Sequence, residues 1–257
     1  MPRRNLVHMT TETIEITVPD GTAEAYVSRP DGEGDHPGVL FHVDAIGLRP
    51  RIKEMADRIA SWGYVVLVPH AFYRVGTADE LAPKGDLTEP GAREEFFGSL
   101  RGLLSGHTSD RSDADLDAYV EALQGLPGVS GPSIGYTGYC IGGRMAVRAA
   151  GLRPDVIAAA GAFHAAGLVT DDDDSPHLLA TRATGEILAG HADHDGSNPA
   201  EAIAELERTL DRAGVTYTSA IYPDAPHGYT MSDTSSYDEA AAERHFAELE
   251  DLFARTL

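Results

Sequence analysis

The strongest constraint on the fold is a regular alternation of short apolar runs with amphipathic stretches. Residues 38–43 and 64–69 are nearly continuous apolar runs of strand length, the pattern of strands buried on both faces. Between them, residues 50–62 place Ile52, Met55, Ala56 and Ile59 at helical spacing, and Gly63 follows as a stop. The alternation continues. Strands are expected at 133–138, 156–162, 186–189 and 216–222. Helices are expected at 112–123 with Ser112 as N-cap, at 141–150 ended by Gly151, at 199–213 ended by Gly214, and at 235–257. Strands that alternate with helices imply an α/β fold with a mostly parallel central sheet and helices on both faces. Residues 13–18 and 23–28, split by the turn Pro19-Asp20-Gly21, read as an N-terminal antiparallel hairpin. Residues 70–111 are rich in Gly, Pro and charge, with one apolar cluster at Phe96, Phe97 and Leu100. They read as a long excursion carrying a short helix, and excursions of this length are often functional. No repeat or composition shift marks a boundary, so 1–257 is expected to be a single domain with the excursion over its site.

Composition narrows the function classes. A chain of 257 residues can bury a full core without disulfides or a structural metal. Its net charge of −21, from 41 acidic and 20 basic residues, argues against nucleic acid and against anionic membrane surfaces. The surplus carboxylates serve solubility. No apolar run reaches the roughly 18 residues of a membrane span. The basic start 1–5 leads into a polar stretch rather than the apolar core of a signal peptide, so a cytoplasmic location is expected. One cysteine excludes an intramolecular disulfide framework. The run Asp171–Asp174 reads as a solvated loop, with a weak cation site as the alternative.

That cysteine lies in Gly138-Tyr139-Cys140-Ile141-Gly142-Gly143, between an expected strand and an expected helix. This is the context of a nucleophile elbow, G-x-S-x-G, with cysteine in place of serine. The nucleophile of such an elbow sits on a tight, strained turn, and glycines are needed where strand and helix backbones crowd together. The Ile141 N–H, at the start of the helix, would face a developing oxyanion, and a helix N-terminus favours thiolate over thiol. The bland alternative is a buried structural cysteine. An elbow implies an acid and then a histidine later in the chain. Asp193, in Gly190-His191-Ala192-Asp193-His194-Asp195, follows one strand, and His227, in Pro226-His227-Gly228-Tyr229, follows the last. Asp193 would orient His227, and Asp195 is the alternative acid. The two His and two Asp of 191–195 also permit a metal reading, though alternate side chains on an extended loop diverge.

These motifs resemble the dienelactone hydrolases, members of the α/β-hydrolase fold with a Cys-His-Asp triad. The carriers are the cysteine elbow, Gly190 through His194, and Ala225-Pro226-His227-Gly228-Tyr229. The resemblance spans the chain from about Thr13 to the last helix. It implies cleavage of small lactones or esters without a cofactor or metal. It also implies a second oxyanion donor, the Ala45 N–H, and a thiol partner at Asp44, where the family commonly has glutamate. Asp44 as a solvated turn carboxylate is the other possibility. The best-known relatives hold the substrate carboxylate with two arginines. Arg74 matches the first and can equally be a structural arginine. Met231 stands in place of the second, and a thioether does not replace a bidentate guanidinium. Together with Phe72, Tyr73 and His164, Met231 would make the pocket more neutral and aromatic. The expected function is therefore hydrolysis of a small-molecule ester or lactone through a cysteine acyl-enzyme, in a monomer or small homo-oligomer. A non-catalytic ligand-binding protein on the same fold, or a thioester or peptide hydrolase on the same triad, is the alternative.

Overall fold

The computed structural model describes residues 9–32, 34–100, 102 and 106–257; the basic segment 1–5 lies outside them. Eight strands form one sheet: β1 (Met9–Val18), β2 (Gly21–Pro30), β3 (His36–His42), β4 (Val65–Pro69), β5 (Val129–Tyr139), β6 (Ile157–Phe163), β7 (Glu186–Ala192) and β8 (Tyr217–Tyr222). Their order is β1-β2-β4-β3-β5-β6-β7-β8. The β1–β2 hairpin is antiparallel and joins β4 antiparallel. From β4 to β8 every pairing is parallel. Among these, β4 is buried along its whole length, whereas edge strand β1 buries only Ile16 and Val18, two residues apart on one face. The expected α/β architecture with an N-terminal hairpin is the one observed.

Helices cover both faces. On one, α1 (Pro50–Ala60) packs Ile52, Met55 and Ile59 into the same cluster as Phe246, Leu249 and Phe253 of α8 (Glu239–Thr256). On the other, α4 (Ser109–Gln124), α5 (Ile141–Leu152) and α7 (Ala200–Ala213) contribute Leu116 and Tyr119, Ala146 and Ala150, and Leu206 and Leu210. These spacings of three and four residues keep each apolar stripe facing the sheet. Among the described residues no helix is long and apolar enough to cross a membrane.

Several boundaries differ from the sequence expectation for physical reasons. Helix α4 begins at Ser109, after Thr108, and Ser112 lies inside it with its hydroxyl 3.1 Å from His107 Nε2. The extra first turn is polar and so carries no periodic signal. Gly151 does not end α5. A Cβ there would lie 2.0 Å from the Leu179 carbonyl oxygen, so the glycine admits the backbone of α6 (Pro176–Leu179). Helix α8 starts only at Glu239, capped by the Asp238 carboxylate, which accepts from Ala241 N–H at 2.8 Å. The excursion holds two helices rather than one, α2 (Ala78–Leu81) and α3 (Ala92–Leu100).

The turn from β5 to α5 is one residue long. Cys140 takes φ 55° and ψ −116°, a left-handed conformation that costs a non-glycine residue about 1–3 kcal/mol. The surroundings enforce it. A Cβ on Gly138 would lie 2.0 Å from the Gly142 carbonyl oxygen, and one on Gly142 would lie 2.5 Å from the His42 and Val43 oxygens. Both obstacles are backbone, which cannot rotate aside. Gly142→Ala is therefore expected to cost about 3 kcal/mol of stability in urea unfolding, through overpacking against rigid neighbours. Gly98→Ala, on α3 with nothing within 4 Å of the new Cβ, is expected to be neutral or to gain up to about 1 kcal/mol.

Candidate active site

Three loops at the carboxyl ends of the parallel strands converge on Cys140. The elbow follows β5, the segment 193–198 follows β7, and the segment 223–231 follows β8. A small cavity is lined by Cys140, His227, His164, Met231 and the loop from Asp44 to Ile46. The N–H groups of Ile141 and Ala45 make no hydrogen bond among the described residues, so both remain available as donors. Cys140 is half-buried and is the only cysteine.

The acid against His227 is Asp195, not Asp193. His227 Nδ1 lies 2.6 Å from Asp195 Oδ2, and Asp195 is itself tied down by Ser197, whose N–H and hydroxyl donate to Oδ1 at 2.8 and 2.6 Å. Asp193 turns its carboxylate elsewhere. It accepts from the His194 and Asp224 N–H groups, both at 2.9 Å. The reason is the backbone between them: His194 takes φ 50°, so the loop reverses and the two carboxylates diverge. Asp193 instead clamps Asp224, another left-handed residue at φ 62°, three positions before His227.

Electrostatics follow from this packing. Burial alone would lower the His227 pKa, but the Asp195 hydrogen bond and the Cys140 sulfur outweigh it and raise the value to about 10. Burial likewise opposes ionisation of Asp195, yet His227 and Ser197 hold it down at about 2. His164 packs edge-on against His227 with ring centres 5.2 Å apart, and its Nε2 meets the Thr230 hydroxyl at 2.8 Å. Its burial, reinforced by His227, pushes its pKa well down, so a neutral ring faces the charged one.

Asp44, the expected thiol partner, turns its carboxylate to Arg49 and to its own loop. Its carboxylate accepts from Arg49 Nη1 and Nη2 at 2.7 and 3.1 Å and from the Ile46 and Gly47 N–H groups. Arg49 also donates Nε to Asp233 at 2.6 Å, and its Nη2 sits 3.3 Å from the Met231 sulfur. A guanidinium therefore does stand beside Met231, supplied by the β3–α1 loop. Burial would lower the Arg49 pKa, but Asp44 and Asp233 together raise it.

Arg74 and Tyr73 do not line the cysteine cavity. Arg74 donates to Asp115 at 2.6 and 2.8 Å and to Asp20 at 2.6 Å, and the Tyr73 hydroxyl donates to Asp115 at 2.9 Å. Arg74 and Phe72 border a separate hollow with His107. The residues that complete the site instead are Arg93 and Phe97 of α3. Their i, i+4 spacing places them on one helix face, a signal visible in sequence but not tied there to the cysteine. Asp174 of the acidic run pairs with Arg148 at 2.7 Å.

The family model of the dienelactone hydrolase family matches residues 23–257. The chain belongs to that family. A Synechocystis relative named as a candidate carboxymethylenebutenolidase is 26% identical over 253 residues, covering 96% of this chain and 98% of the relative. Among solved structures, a candidate dienelactone hydrolase from Klebsiella pneumoniae superposes with a TM-score of 0.82 at 23% identity, covering 96% of this chain and 99% of that one. A dienelactone hydrolase-like promiscuous phosphotriesterase from metagenomic libraries gives 0.78 at 21% identity, covering 96% and 98%. The family places this chain among the hydrolases, and the two structures share its α/β-hydrolase fold.

Two outcomes test the site's electrostatics. His227 is held above its ordinary value of 6.5, so the stabilisation from its ion pair is fully present below that pH and is lost as pH rises through about 10. Asp195→Asn is expected to bring the alkaline limit of kcat/KM down, whereas Asp193→Asn leaves it in place; the pH–rate profiles of both variants measure this. Arg49→Leu leaves two carboxylates without their buried cation and is expected to cost about 3–5 kcal/mol in denaturant unfolding.

Proposed function

We infer that the protein hydrolyses small esters or lactones by acyl transfer through Cys140. The observation that carries this reading is the coupling of His227 to Asp195 at 2.6 Å and to the Cys140 sulfur. As the sulfur attacks, His227 carries the proton that the pair shares, with Asp195 fixing the ring and its tautomer. The Cys140 sulfur attacks the carbonyl carbon, and the Ile141 and Ala45 N–H groups hold the oxyanion. As the tetrahedral intermediate collapses, the C–O bond breaks and the His227 imidazolium gives its proton to the departing oxygen. The product is a thioester on Cys140 with neutral His227. His227 then takes a proton from water, the hydroxide attacks the thioester, and the sulfur leaves as thiolate beside the re-formed imidazolium. The net change is one water consumed per ester or lactone opened.

Each proton transfer in this sequence uses His227, so Asp44 has no proton to move. Its ion pair with Arg49 instead holds the loop that presents the Ala45 N–H. A sulfur nucleophile suits activated substrates such as enol esters and enol lactones, whose leaving oxygens need little protonation. Cys140→Ala is expected to reduce hydrolysis of p-nitrophenyl acetate and of a dienelactone by at least about a thousandfold. Mass spectrometry of the wild-type protein quenched during turnover is expected to show the acyl group on Cys140. Undiminished turnover by the alanine variant would overturn the assignment.

A further inference from the structure

The cavity beside Cys140 is narrow. Its volume is only about 20 Å³, room for one water and for no ester. One side of it is α3, through Arg93 and Phe97. The helix is lightly held: Leu100 is its one buried residue among those described, and Phe96 and Phe97 are half-buried. Behind it lies a second hollow of about 450 Å³, mostly apolar, bordered by Leu81, Leu87, Phe96 and Leu100. The segment leading into α3 is pinned to the far wall of the site, where Ser235 N–H donates to the Leu87 carbonyl at 3.1 Å. Between that pin and the helix, Gly91 takes φ 82° with open space around it. The helix thus has a fixed anchor, a permissive joint and room to recede. A substrate that reaches Cys140 needs more room than this cavity has, and Phe97 is part of its wall.

Arg93 adds charge to the same face. Its guanidinium stacks over the Phe97 ring, 4.9 Å from the centroid, and one of its nitrogens lies 3.6 Å from where a Cβ on Gly228 would stand, next to His227. Its ion pair among the described residues is a long one, 4.0 Å to its own neighbour Glu94, which is mostly in water. The contrast with Arg49 and Arg74 is direct, since each of those is matched by two carboxylates. In a chain of net charge −21, this guanidinium beside the nucleophile has no strong ion-pair partner among the described residues.

We propose that Phe97 and Arg93 on α3 determine specificity at this site: Phe97 limits the size of the acyl group, and Arg93 favours a substrate that carries a negative charge. The proposal rests on the acyl-transfer reading. In p-nitrophenyl ester assays, Phe97→Ala is expected to raise kcat/KM for the octanoate relative to the acetate by about tenfold, and Phe97→Trp to lower it. Arg93→Met is expected to cut the preference for the mono-glutarate ester over the neutral valerate ester by about tenfold. Iodoacetamide labelling of the intact protein supplies a readout that needs no turnover, because Cys140 is the sole cysteine. Phe97→Ala is expected to speed it several-fold. An unchanged acyl-length profile together with an unchanged labelling rate in Phe97→Ala would overturn the role of Phe97. An unchanged glutarate-to-valerate ratio in Arg93→Met would overturn that of Arg93. Faster labelling in Phe97→Ala, alongside full turnover by Cys140→Ala, would refute the acyl-enzyme while leaving the α3 wall intact.

Discussion

The crowding of backbone against backbone where β5 meets α5 is the constraint on which the rest of the site depends. Gly138 and Gly142 approach so closely that no side chain fits on either, and the single residue between strand and helix is driven to a positive φ. That conformation lifts Cys140 out of the sheet and points the first N–H of α5 the same way. The penalty of about 1–3 kcal/mol for a strained residue is tolerated because β5 lies in the middle of the sheet, between β3 and β6. A strand fixed on both sides cannot relax the turn.

Around that fixed point, charge is arranged in two separate circuits. One is Asp195–His227–Cys140, in which a carboxylate and a sulfur keep the imidazole protonated. The other is Asp44–Arg49–Asp233, in which a buried guanidinium is shared between buried Asp44 and partly exposed Asp233. Arg49 engages Asp44 and Asp233, so the two circuits share no side chain. A buried arginine shared between two carboxylates also fixes the β3–α1 loop, with Ala45 on it, to the segment after β8. The remaining cation at the cavity, Arg93, sits on the least anchored element, where its charge is available to whatever enters.

The elements that were legible in the sequence are those whose signal is local. The strand β4, the glycine-stopped helix α7 and the cysteine elbow each announce themselves within a dozen residues, because burial on both faces, helical periodicity and backbone crowding act over that range. Helix starts were less legible: the polar first turn of α4 has no apolar residue to mark it, and the segment 235–238 reads as helix although Asp238 caps α8 only afterwards. The choice between Asp193 and Asp195 lay beyond such signals. Two residues apart on a loop, they are equivalent in sequence, and the left-handed turn at His194 separates them. Arg74 illustrates the reverse error. It stands where the family's pattern puts a substrate arginine, but Asp20 and Asp115, distant in sequence, draw its guanidinium away.

The parallel sheet, the order of cysteine, carboxylates and histidine, and the sulfur at the elbow are legible in the sequence, since each follows from the spacing of residues along the chain. Which carboxylate meets His227, the place of Arg49 beside Met231, and the presence of α3 at the cysteine cavity are outcomes of tertiary packing. Those outcomes depend on where separate loops end in space, and directional contacts between side chains far apart in sequence leave no periodic trace in it.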